Sequence, residues 1–358
     1  MRHHAGRARL VRASTAALLV VGLVMAAGCA PGPPQPPTGP GSNTPCGRTD
    51  VQLTNPGAAT NAIYVAYPTG TAATPLMGGT CGDDQRPVLF LVHGYLASFN
   101  WVYEGVINHF TRTGNIVVMG TYATDIADVQ GSADRALQAL TAAVPQLERE
   151  DLTHVGLIGH SLGGGMLPWV TQQVVARGWG SAGLWMFSLA PFQGIGSGPI
   201  ALPAHSRAII EAYDQDTLVN PAVGADLYRR LSLPATQKDH ITVRSSSHAG
   251  GTITAQHTSP NSVISPDDAV KFYGIYRVGD LLESCAFEGR DCDADLSLMG
   301  NWTDGTPVLP SIVTDNPSAG PVAGGRRSGG PVGVRPGRRR PRRGRRTPRS
   351  CRPSSRTR

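Results

Sequence analysis

The chain has 358 residues, a formal net charge of +7, 44 Gly, 29 Pro and 6 Cys, and only 6% aromatic residues. Four Arg and no acid fall in residues 1–28, and fourteen Arg and no acid in 326–358. The stretch between them therefore carries 14 basic residues against all 25 acidic ones, a net of −11. This distribution excludes a basic nucleic-acid-binding body, because the positive charge belongs to the two ends.

Arg2, Arg7, Arg9 and Arg12 precede a short apolar run, Leu18 to Met25, which ends in Ala26-Ala27-Gly28-Cys29. That is the layout of a secretion signal over residues 1–28, too short and wrongly flanked for a lasting membrane helix. The ending resembles the lipobox of bacterial lipoproteins, with Ala26 where that family usually has Leu or Val. The resemblance implies cleavage before Cys29, lipidation of Cys29, and a protein anchored by lipid to a bacterial membrane outside the cytoplasm. Residues 31–40 hold six prolines, so 29–48 is expected to be a stiff, extended tether. The Arg/Pro/Gly-rich tail 318–358 has too little apolar content to repay its ordering entropy and is expected to be disordered and dispensable.

Between these ends, residues 49–317 alternate strand-like and helix-like segments. Ile63 to Tyr67 reads as an antiparallel strand near the start. Val88 to Val92 (VLFLV) and Ile116 to Met119 (IVVM) are apolar runs of strand length, as expected for buried parallel strands. Ser132 to Leu147 has helical spacing of its apolar residues. Val155 to Ile158, Gly183 to Leu189, Arg207 to Ala212 and Ile241 to Arg244 continue the strand series. Strands separated by helical stretches indicate an α/β domain with a mostly parallel sheet. Four cysteines lie within this exported portion, where disulfides persist. Of the three possible pairings, Cys46–Cys81 and Cys285–Cys292 are preferred on locality. No C-x-x-C pair suggests zinc. The acidic run Asp291 to Asp295 fails as a calcium loop, having Leu296 where Gly is needed and Trp302 where Glu is needed.

The chemistry starts at Gly159-His160-Ser161-Leu162-Gly163. A G-x-S-x-G match is weak by itself, but this one follows a buried strand and precedes a plausible helix, Met166 to Ala176. In that setting a strained turn presents the Ser161 hydroxyl at the sheet edge beside a helix N-terminus. A serine nucleophile needs a base and an acid that orients it, in the order Ser, acid, His along such chains. Asp214 and Asp216 both follow the AIIEAY strand, and Asp216 is preferred because D-x-x-V then Pro resembles the acid loop of α/β-hydrolases. Of the downstream histidines, His240 precedes the ITVR strand and so points to the wrong end of the sheet. His248 lies four residues beyond that strand and is preferred as base; His257 remains the alternative. His93-Gly94-Tyr95 after VLFLV matches the loop that supplies an oxyanion amide, so the N–H groups of Tyr95 and Leu162 form the expected oxyanion hole. His93 itself is expected to brace the loop.

With these positions in place, the chain resembles the α/β-hydrolase superfamily over residues 60 to 300, particularly secreted lipase, esterase and cutinase-like enzymes. The resemblance implies an eight-stranded, mostly parallel sheet flanked by helices. It also implies a cofactor-free Ser-His-Asp mechanism and a small-molecule or lipid ester as substrate. The segment Ala190 to Ser206, with its glycines and three prolines, is too short for a large lid. Trp101, Trp185 and Phe192 are candidate liners of an acyl pocket. Competing expectations are an acyltransferase, thioesterase or amidase using the same triad, and a non-catalytic binding protein on the same fold.

Overall fold

The computed structural model describes residues 31–55 and 62–318. The signal segment, Cys29 and the Arg-rich tail from residue 319 lie outside the described residues. In chain order the elements are β1 (Gly47–Thr54), β2 (Ala62–Thr69), β3 (Arg86–Val92), α1 (Glu104–Thr113), β4 (Ile116–Gly120), α2 (Val129–Ala143), β5 (Glu150–His160), α3 (Leu162–Val175), β6 (Gly183–Leu189) and β7 (Ser206–Tyr213). They continue with α4 (Pro221–Arg230), β8 (Lys238–Val243), β9 (Ser246–His248), β10 (Gly251–Ile253), a π-helical stretch (Val270–Arg277) running into α5 (Val278–Glu288), and β11 (Ile312–Thr314).

Nine strands form one sheet in the order β1-β2-β4-β3-β5-β6-β7-β8-β11. The central run from β4 to β8 is parallel throughout, while β1, β2 and β11 join antiparallel at the edges. The sheet is therefore mixed and one strand wider than the eight expected. The parallel centre follows from the apolar runs: β3, β4 and β6 are buried at every residue, so both faces must be covered. Alternation divides each strand between two cores. Val88, Phe90 and Val92 pack with α2, α3 and α4 on one face. Leu89 and Leu91 pack with α1, α5 and Trp185 on the other. Each such side chain contributes about 1.5–3 kcal/mol of burial free energy.

The cysteines pair as Cys46–Cys81 and Cys285–Cys292, as preferred on locality; such bonds fit a chain that folds outside the reducing cytoplasm. No helix among the described residues is long and apolar enough to cross a membrane. The proline-rich segment departs from expectation. It lies along the α/β body instead of extending away from it: the Gly32 N–H donates to Thr303 Oγ1 (2.6 Å), the Tyr273 hydroxyl donates to the Gln35 carbonyl (3.1 Å), and the Gly41 N–H donates to Asp280 Oδ2 (2.6 Å). Pro34 and Gly41 are buried. Proline-rich backbone makes no internal hydrogen bonds, and side chains from the body take up its Gly32 and Gly41 N–H groups and its Gln35 carbonyl here. The acidic run near Asp291 is likewise used locally, Asp291 accepting from Ser284 (2.6 Å) and Asp295 from Ser297 (2.7 Å).

Candidate active site

β5 carries the chain to Gly159-His160, and Ser161 follows with φ 58° and ψ −117° before α3 begins at Leu162. A positive φ is costly for a residue with a Cβ, and the packing around the turn enforces it. A Cβ on Gly159 would lie 2.6 Å from the Gly163 carbonyl oxygen, and one on Gly163 2.1 Å from that of Val92. Glycine is therefore obligatory on both sides of the serine. Ser161 occupies the N-cap position of α3 without capping it, so its hydroxyl is available to another partner.

That partner is His257. Its Nε2 lies 2.9 Å from Ser161 Oγ and its Nδ1 2.8 Å from Asp216 Oδ2. The carboxylate can only accept, so Nδ1 bears the proton and Nε2 offers its lone pair to the Ser161 hydroxyl. The other oxygen of Asp216 accepts the N–H groups of Leu218 (2.8 Å) and Val219 (3.1 Å). Burial works to raise the Asp216 pKa, but the hydrogen bonds from His257 and these two amides outweigh it and leave the carboxyl below its ordinary value. Asp214, the other candidate acid, instead holds the backbone N–H and hydroxyl of Ser245 (2.9 and 2.6 Å) at the end of β8.

The expected base, His248, is not brought to Ser161. β9 and β10 form a hairpin, turned through Ala249 and Gly250 at φ 45° and 91°. His248 ends β9 and pairs with Asp304 (2.7 Å). The hairpin folds the chain back so that His257, beyond it, reaches the serine. Counting residues past the last long strand did not find the histidine that meets Ser161, because the Gly250-Gly251 turn signal shows where the chain reverses but not which side chain it then carries to the serine. His240 lies inside β8 and is buried beside Tyr228, away from the site.

Leu162, the first residue of α3, is fully buried, and its N–H has no helical partner four residues earlier. Tyr95 borders the cleft in front of Ser161. His93 braces this loop as expected: its ring stacks on Tyr122 with centroids 3.9 Å apart, and its Nδ1 lies 2.8 Å from the Gly94 carbonyl. A carbonyl only accepts, so Nδ1 is the donor. Burial holds the ring pKa down to about 4, so His93 is neutral at ordinary pH.

The cleft holds about 320 Å³ and is lined mainly by Tyr95, Ile126, Phe192, Leu218 and Val219 around Ser161 and His257. Phe192 is thus a liner, as expected. Trp185 is not: it is fully buried in the sheet core against Gly156, where a Cβ would lie 2.3 Å from its ring. Trp101 is half exposed and stacks on Phe99 (5.4 Å) outside the cleft. Leu96, Val263 and Ile264 are also exposed on the loops that border it. The connection from β6 to β7 contains no helix. Lys271, fully buried, escaped the sequence reading; its Nζ donates to the Ser265 carbonyl and Asp267 (both 2.9 Å), tying down the loop that follows His257. Compared with known proteins, the chain matches no family model and no curated protein.

Proposed function

We propose that the chain is a serine carboxylic-ester hydrolase of the α/β-hydrolase type, working through Ser161, His257 and Asp216. The observation that carries the reading is the unbroken hydrogen-bonded series from Asp216 through His257 to Ser161, set on a strained strand-to-helix turn. In this reading Ser161 Oγ attacks the ester carbonyl as His257 Nε2 takes its proton. Asp216 keeps the imidazole in the required tautomer and stabilises the cation that forms. The amides of Tyr95 and Leu162 receive the negative charge on the carbonyl oxygen, each donor being worth about 3 kcal/mol in the transition state. His257 then protonates the departing alcohol, and water repeats the sequence on the acyl-enzyme. The apolar cleft supports an ester with an apolar acyl or alcohol part. The lipobox-like ending at Cys29 supports a lipid-anchored, extracytoplasmic enzyme.

The test is hydrolysis of p-nitrophenyl esters and labelling by a fluorophosphonate probe. Both are expected in the wild type and lost in Ser161→Ala. Ester turnover that persists in Ser161→Ala rejects the proposal. Product analysis with an added alcohol distinguishes hydrolysis from acyl transfer.

A further inference from the structure

Behind the triad lies a buried polar relay that the proposed chemistry does not itself use. Tyr103, in the single 3₁₀ turn before α1, is 1% exposed, and its hydroxyl oxygen accepts the Gly94 N–H at 2.9 Å. The same hydroxyl lies 2.9 Å from His160 Nδ1, and His160 Nε2 lies 2.8 Å from the backbone carbonyl of His257.

These bonds have one consistent direction. The His257 carbonyl only accepts, so His160 Nε2 carries the proton. Burial, and then the neighbouring His257, hold the His160 ring down to about 3, so it is neutral and Nδ1 presents a lone pair. The Tyr103 hydroxyl therefore donates to Nδ1 while accepting from Gly94. No polar atom of either side chain is left over.

The two side chains thereby connect three separate loops. Gly94 belongs to the loop that presents the Tyr95 amide, and it packs so near the nucleophile that a Cβ on it would lie 3.2 Å from Ser161 Cβ. His160 is the residue immediately before Ser161. His257 supplies the base, and its own carbonyl is the anchoring point. An apolar pair of similar shape would fill this space without three buried hydrogen bonds to satisfy, so packing alone does not call for a tyrosine and a histidine.

We infer that Tyr103 and His160 are positioning residues that hold the oxyanion loop, the nucleophile turn and the base loop in a single register. The inference rests on the ester-hydrolase reading above. Displacing a reacting group by about 1 Å is enough to cost on the order of 100-fold in rate, and these bonds limit such displacement for all three loops at once.

The test compares wild type with Tyr103→Phe, His160→Phe and the double variant. Each is scored by the rate of fluorophosphonate labelling at Ser161 and by kcat and KM on a short p-nitrophenyl ester, with circular dichroism as a check of folding. Each single variant is expected to lose fivefold or more in labelling rate and in kcat, with KM within twofold of wild type. The double variant is expected within twofold of the slower single, since one relay is broken only once. Losses below fivefold in either single variant, losses carried by KM with labelling unchanged, or single losses that multiply in the double overturn the inference. Should a phenylalanine variant fail to fold, His160→Leu fills less of the space and removes both the donor to the His257 carbonyl and the acceptor for Tyr103. A fivefold or greater fall in its labelling rate supports the relay, and a smaller one overturns it. A wild-type chain that takes no label rejects the hydrolase reading itself. A wild type that labels while its variants keep pace rejects the relay alone.

Discussion

At the scale of single residues, the structure separates two histidines that the sequence left in competition. Both sit beside an aspartate at 2.7–2.8 Å, but only His257 also reaches Ser161. His257→Ala is therefore expected to lower kcat on a p-nitrophenyl ester by about 10⁴-fold or more, while His248→Ala stays near the wild-type rate. The reverse ranking in side-by-side assays would reject the assignment. Asp216→Asn should cost about 10⁴-fold in kcat, because an amide allows the imidazole to take the wrong tautomer. Asp214→Asn should act on stability and leave kcat nearly unchanged, since Asp214 holds only Ser245. Ser161 was legible because it stands directly after a strand that announces itself by composition, and Asp216 because it follows the end of another within three residues and opens a D-x-x-V run. His257 was not, since its position depends on a hairpin of six paired residues with no apolar run to reveal it.

At the scale of elements, α3 contains a proline that the fold accommodates by a neighbouring strand. Pro168 lacks the N–H that would bond the Gly164 carbonyl, and the Ser188 hydroxyl from β6 donates to that carbonyl instead, at 2.9 Å. Ser188→Ala would strand a buried acceptor beneath the Ser161 turn. It should destabilise the protein by about 1–3 kcal/mol in denaturant unfolding; an unchanged midpoint would show that the carbonyl finds another donor. The two disulfides differ in what they close. Cys46–Cys81 spans a sequence separation of 35 and Cys285–Cys292 one of 7. Chain entropy then assigns roughly 4 kcal/mol to the first and roughly 2–3 kcal/mol to the second. Paired Cys→Ser variants measured by urea unfolding should show the larger loss for Cys46 and Cys81, and the opposite order would reject this account. The first bond also fixes the end of the proline-rich strap, whose contacts with Thr303, Tyr273 and Asp280 were invisible in a sequence that reads as a tether.

At the scale of the whole molecule, buried acids set how stability responds to pH. Glu283 is fully buried, with a carboxyl oxygen 3.1 Å from Asn115 Nδ2. Burial, reinforced by the Asp280 charge, pushes its pKa up to about 8 from an ordinary 4.5. Glu211, buried in β7, is raised by burial in the same sense. Between pH 4.5 and about 8 the unfolded chain gives up the Glu283 proton while the folded chain keeps it. The unfolded state then binds fewer protons, and stability falls as pH rises through that window. Glu283→Gln retains an acceptor for Asn115 and removes the titration. Its Tm should exceed that of wild type by several degrees near pH 8 and converge with it near pH 4. Parallel Tm–pH curves for the two proteins would rule this out.

The sequence by itself determined the α/β class, the strand-to-helix turn at Ser161 and the loop that carries Tyr95, and it narrowed the disulfides to a preference that the structure settles. These features are written in short contiguous stretches: apolar runs that must be buried on both faces, and glycines that a sharp turn requires. Only the tertiary structure decided which histidine meets Ser161, that the proline-rich segment lies along the body, that Trp185 belongs to the sheet core, and that Tyr103 and His160 join three loops. Each of those depends on groups far apart in the chain arriving within hydrogen-bond or van der Waals distance. Such a meeting is fixed by the packing of the sheet and its hairpin, and no local pattern of residues encodes it.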